Sequence, residues 1–152
     1  MSTRKVGDFT ITAVSDGLLT SPPEVVLGVS REDLVALTGV PPGQNLPLDV
    51  NCFLIRHNGK LMLSDVGSGN GMGPNLGKLP QNLRAIGVRP EDIDIILLTH
   101  LHPDHSLGLV DADGKALYSK VHAARHGEGR PAQHHPDVQP GDARNDDGVL
   151  CR

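Results

Sequence analysis

The segment Thr99-His100-Leu101-His102-Pro103-Asp104-His105-Ser106-Leu107-Gly108 constrains this chain more than any other. It sets three histidines and an aspartate within six positions, at the end of the most apolar run in the sequence, Ile93 to Thr99. That run, entered through Pro90-Glu91-Asp92, predicts a dense strand buried on both faces. Imidazole and carboxylate are the ligands a borderline divalent metal such as zinc prefers. In extended chain His100 and His102 point to one side, two residues apart. A turn at Pro103 then lets Asp104 and His105 reach a second point close by. This layout suits two metals sharing one site, with a water or hydroxide between them. A neighbouring aspartate would hold a histidine ring in the required tautomer. The isolated His57 and His122 have no such context and read as ordinary histidines.

The rest of the chain to about residue 123 reads as folded protein. Phe9 to Val14 alternates with a period of two and meets Ser15-Asp16-Gly17, which predicts a strand leading into a turn. Ser30 is placed to cap a short helix through Leu34, Val35 and Leu37, with Glu32 and Asp33 in its first turn and Gly39 at its stop. Pro41-Pro42-Gly43 through Pro47 predicts a loop. Asn51–Arg56 and Lys60–Asp65 predict two strands joined across His57-Asn58-Gly59, where Asn-Gly suits a tight hairpin turn. A glycine-rich loop follows from Gly67 to Gly77, and Leu79, Leu83 and Ile86 then fall at helical spacing before Gly87.

Composition narrows the functional classes. A formal net charge of −4 and a pI near 6.0 give no basic field for nucleic acid or an acidic membrane surface. No unbroken apolar run exceeds four residues, as at Ile95 to Leu98, which is far too short to cross a bilayer. The opening MSTRKVGDFT lacks the apolar stretch of a signal peptide, so a cytoplasmic location is expected. Cys52 and Cys151 do not make a disulfide framework. No Ser-His-Asp or Cys-His nucleophile context is visible, and the Gly67–Gly77 loop lacks the Lys-Ser/Thr of a phosphate-binding loop.

The C-terminal stretch, 124–152, differs in kind. From Arg125 onward it holds no Ile, Met, Phe, Tyr or Trp, its only leucine is Leu150, and its four basic residues are all arginine. With no hydrophobic period it cannot offset its ordering entropy by burial. A disordered polar tail is one reading. A GC-rich gene translated in the wrong frame is the other.

The motif His100-x-His102-x-Asp104-His105 resembles the zinc-binding signature of the metallo-β-lactamase-fold hydrolases. The likeness extends through Val6-Gly7-Asp8-Phe9, Ser15-Asp16-Gly17, Asn51–Leu54, Lys60–Gly67, Gly73–Leu79 and Pro90–Gly108. Over roughly residues 4–122 it is similar to the branch that holds methyl parathion hydrolase and related quorum-quenching lactonases. The resemblance implies an α+β fold, the αβ/βα sandwich with a dinuclear zinc site on one edge, of which only the first half is present here. It implies that His100 and His102 bind one zinc, that Asp104 and His105 bind the second, and that Asp65 buttresses the site from behind. It further implies a hydroxide between the metals, oriented by Asp104, attacking a lactone or ester carbonyl or a phosphotriester, so the expected partner is a small-molecule substrate.

The family's second half supplies a third histidine to the first zinc, a carboxylate bridging the metals and a further histidine to the second. No strand context places His134 or His135 in those roles. Pro103 and Ser106-Leu107 stand where small residues are expected, and Ser64 where an apolar one is. Two readings therefore stand: a zinc-dependent hydrolase, or a truncated, inactive fragment that binds metal weakly or acts only with a partner chain. A half sandwich also leaves the inner face of its sheet uncovered, which predicts aggregation or a homo-oligomer through that face.

Overall fold

The computed structural model describes residues 1–121 and the backbone of 124–126. Six strands form one sheet in chain order: β1 (Thr3–Val6), β2 (Phe9–Ser21), β3 (Leu46–His57), β4 (Lys60–Ser64), β5 (Ile95–Leu98) and β6 (Ala124–His126). β1 to β4 pair antiparallel, whereas β4, β5 and β6 run parallel. Three short helices interrupt them: α1 (Arg31–Thr38), α2 (Leu79–Ala85) and α3 (Pro103–Ser106). The tail expected at 124–152 lies outside the described residues apart from the backbone of β6. Among the described residues no helix is long and apolar enough to cross a membrane.

Local signals act where the sequence places them. Ser30 Oγ accepts the Asp33 N–H at 3.1 Å, and α1 ends on Gly39 at φ 69°. Asn58 and Gly59, both at positive φ (46° and 72°), make the two-residue turn between β3 and β4. Gly87, at φ 74°, follows the last turn of α2.

Register divides the sheet into two faces. Thr12, Leu54, Leu63 and Ile96 lie side by side across β2 to β5, and Val14 pairs with Cys52. These residues are buried, and Val14, Cys52, Leu54, Leu63 and Ile96 form one cluster with Leu79 and Leu83 of α2 and with Val88 and Ile93. Each fully buried leucine contributes about 1.5–3 kcal/mol over leaving it exposed. The opposite face carries the rows Ile11–Ile55–Met62–Ile95 and Ala13–Phe53–Ser64–Leu97. There Phe53, Ile95 and Leu97 are 42%, 40% and 39% exposed.

Three expectations change. The strand expected to be buried on both faces is covered on one only, because no second layer lies over Ile95 and Leu97 among the described residues. The turn expected at Ser15-Asp16-Gly17 is instead a bulge: Ser15 pairs with Asn51 and Gly17 with Val50, so Asp16 is the extra residue and β2 runs on to Ser21. Pro47 belongs to β3 rather than to a loop. It pairs with Thr20, beyond the reach of β4, whose first partner on β3 is Phe53, so the proline's missing N–H falls where β3 is an edge.

Candidate metal centre

The parallel pair β4 and β5 ends at one edge of the sheet, and the motif begins there. The Asp65 N–H donates to the Leu97 carbonyl at 2.9 Å, and the chain then turns sharply, with Asp65 at φ 57°. A non-glycine residue in this left-handed region is uncommon, although aspartate tolerates it better than most. The turn sends the Asp65 carboxylate, in a residue only 5% exposed, toward the end of β5. There Oδ1 accepts the Thr99 N–H at 2.8 Å. The Thr99 hydroxyl donates to the same carboxylate, lying 3.0 Å from Oδ1 and 2.9 Å from Oδ2.

His105 closes the arrangement from the next turn of chain. His102 caps α3, with its carbonyl accepting the N–H groups of His105 (3.0 Å) and Ser106 (3.1 Å). His105 is thereby brought back to the chain just past the end of β4, where its own carbonyl accepts the Val66 N–H at 3.0 Å. Its Nδ1 lies 3.0 Å from Asp65 Oδ2.

The bonding pattern places a proton on Nδ1 of two rings. A carboxylate oxygen accepts, so His105 Nδ1 carries a proton toward Asp65, while its Nε2 faces Asp104 Oδ2 at 3.3 Å. Thr99 has one hydroxyl proton and spends it on Asp65, so His100 Nδ1, 3.0 Å from Thr99 Oγ, must donate. His100 in its neutral form then keeps the lone pair on Nε2. Partial burial, followed by the neighbouring His105 and His102, lowers the His100 pKa and favours the neutral form a metal requires.

All the expected residues gather at this edge. The His100 ring lies 4.5 Å from that of His102 and 4.0 Å from that of His105, and His105 Nε2 lies 3.3 Å from Asp104 Oδ2. Among the described residues, however, no three His, Cys, Asp or Glu side chains converge as a metal-holding group. Imidazole and carboxylate donors fit zinc in chemistry, but no more than two of them come together among the described residues. A cavity of about 160 Å³ lies elsewhere, against α1 and the start of β3, lined by Leu34, Val35, Pro41 and Leu46 among others.

Two residues escaped the sequence reading. Thr99 stood inside the motif without a role, because its role depends on Asp65, 34 residues earlier. Asp16 falls in the segment whose residues predict a turn, yet it is fully buried and accepts four hydrogen bonds from the glycine-rich loop and the start of α2. Its signal was the Asp-Gly pair, which marks bulges as well as turns.

The family profile of the Metallo-beta-lactamase superfamily matches residues 45–146. This chain belongs to that superfamily, and its sheet and helices are the corresponding part of the metallo-β-lactamase fold. Among solved structures it is similar to the hydrolase AbOPH of the beta lactamase superfamily, at 32% identity and a TM-score of 0.69 over 80% of this chain and 42% of that one. It is also similar to a probable metal-dependent hydrolase from Staphylococcus aureus, at 27% identity and a TM-score of 0.67 over 81% and 47%. The dizinc quorum-quenching lactonase AidC shares the fold, at 24% identity and a TM-score of 0.69 over 81% and 42%. The chain thus spans less than half the length of each of these structures. No curated protein matches it significantly.

Proposed function

We propose that this chain carries the first metal-binding half of a zinc-dependent hydrolase, acting on a lactone or ester carbonyl or on a phosphotriester. Residues 1–123 would form that half, with β6 continuing its sheet, and the rest of 124–152 would be a polar tail. The observation that supports this reading is the shared Asp65 carboxylate, which fixes Thr99 and His105 at once and engages Nδ1, not Nε2, of both His105 and His100 in that network. His100 and His102 would hold one zinc, and Asp104 and His105 the other. When bound, zinc supplies Lewis acidity at a substrate oxygen and makes water a usable nucleophile near neutral pH.

The chain's own residues do the positioning. Asp65 orients the His105 ring, and Thr99 carries that orientation across to His100. Asp104, whose Oδ2 is 3.3 Å from His105 Nε2, is placed to hold a proton or steer an incoming water at the mouth of the motif. The pairing of donors favours a second reading, in which this chain binds metal weakly and does not turn over without a partner chain.

Metal analysis of the purified chain, with hydrolysis of an acyl-homoserine lactone and a phosphotriester, separates the two. The hydrolase reading expects about two zinc ions per chain and activity that His102→Ala abolishes. Substoichiometric zinc, with no turnover above free zinc in buffer, supports the second reading and overturns the first.

A further inference from the structure

The carboxylate of Asp16 is fully buried, and none of the proposed chemistry uses it. The bulge in β2 turns it inward, where its Oδ2 accepts the Ser68 N–H (2.9 Å), the Ser68 hydroxyl (2.7 Å) and the Gly77 N–H (3.2 Å). Oδ1 accepts the Leu79 N–H at 3.0 Å. All the donors are neutral. A buried carboxylate without a cation is costly, and only a side chain that accepts at both oxygens can meet four inward-pointing donors. Glycine at position 67 makes room for it, since a Cβ there would overlap the Asp16 carboxylate.

The far side of the same loop bears on the metal motif. The Gly67 carbonyl accepts the Gly108 N–H at 3.0 Å, and the Val66 N–H donates to the His105 carbonyl at 3.0 Å. Gly108 packs so closely on the Val66 carbonyl that a Cβ would overlap it. The backbone of residues 66–68 is therefore clamped between Asp16 on one side and the turn carrying His105 on the other.

We infer that Asp16 is a positioning residue for the metal centre: through Ser68 and residues 66–67 it sets where the His105 turn sits, and so how well the motif holds metal. This rests on the zinc-hydrolase reading, but one arm of its test needs no metal.

The test compares the full chain with Asp16→Asn, which has nearly the same shape but places a donor where an acceptor is needed. Leu54→Ala is the control, a core truncation in β3 outside the clamp. Ser68→Ala, which removes one hydroxyl alone, serves if Asp16→Asn does not fold. Amide hydrogen exchange is followed without metal, and affinity is then measured by titrating cobalt(II). In Asp16→Asn, exchange at Val66 and Gly108 should accelerate beyond what global stability accounts for, and cobalt affinity should fall about tenfold or more. Leu54→Ala should change both only in step with its stability, and Ser68→Ala should move the same readouts as Asp16→Asn by less. Equal effects in Asp16→Asn and Leu54→Ala, or unchanged cobalt affinity beside normal exchange at both amides, overturn the inference. If the unaltered chain takes up no cobalt, the zinc-hydrolase reading fails, and the exchange arm alone decides the role of Asp16.

Discussion

His105 Nδ1 and Asp65 Oδ2 stand 3.0 Å apart across 40 residues of sequence, and this bond decides which nitrogen of His105 faces the motif. Asp65→Asn keeps the shape but loses acceptance at one of its two positions. Metal affinity should drop by about 10–100-fold, as read by competition with a zinc-chelating dye, with little change in the far-ultraviolet circular dichroism.

Thr99 provides a second, independent handle on the same geometry. Thr99→Val keeps the volume and the backbone bond to Asp65 but removes the hydroxyl that accepts from His100 Nδ1. His100 then loses its fixed tautomer. Nitrogen-15 NMR of the imidazoles should show His100 shifting toward a mixture of tautomers, while His105 keeps its proton on Nδ1.

Gly108 tests the close approach between loop and motif. Gly108→Ala drives a methyl group into the Val66 carbonyl, backbone against backbone, so neither side yields cheaply. Overpacking of this kind costs about 1–3 kcal/mol, measurable as a lower urea midpoint. An alanine variant as stable as the original chain would refute the contact.

Cys52 gives the pH-dependent case. Burial, and then the Asp16 and Asp65 carboxylates, push its thiol well above the usual range. Its folded pKa exceeds the unfolded one, so the associated stability is intact below the ordinary thiol pKa and is lost progressively as pH rises above it. In a Cys151→Ser background the folded chain should not react with a thiol reagent at pH 8, and reaction should appear only with unfolding.

What the sequence revealed and what it withheld divide along range of interaction. Ser30, Gly39, Asn58-Gly59 and Gly87 act on neighbours within a few residues, and each does in the structure what its residue type implies. The motif's donors were legible for the same reason, being packed into six positions. Asp16 was not, because the donors it serves lie 52 to 63 residues away and only the bulge turns it toward them. The one-sided burial of β5 was also hidden. Ile95 and Leu97 are as apolar as Ile96 and Leu98, and only the layers around the sheet distinguish them.

The span of these bonds bears on how the chain folds. A peptide cut from residues 99–108 would hold all four candidate donors and Thr99, but not the groups that fix Thr99 and the His105 turn, which come from β2, the end of β4 and the glycine-rich loop. Joining such distant segments requires closing long loops before any contact compensates for them, which slows folding and makes it cooperative. The motif should therefore acquire its geometry late, after β2 to β5 have paired. Metal added to the unfolded chain would meet flexible histidines, and metal added after folding would meet histidines already oriented.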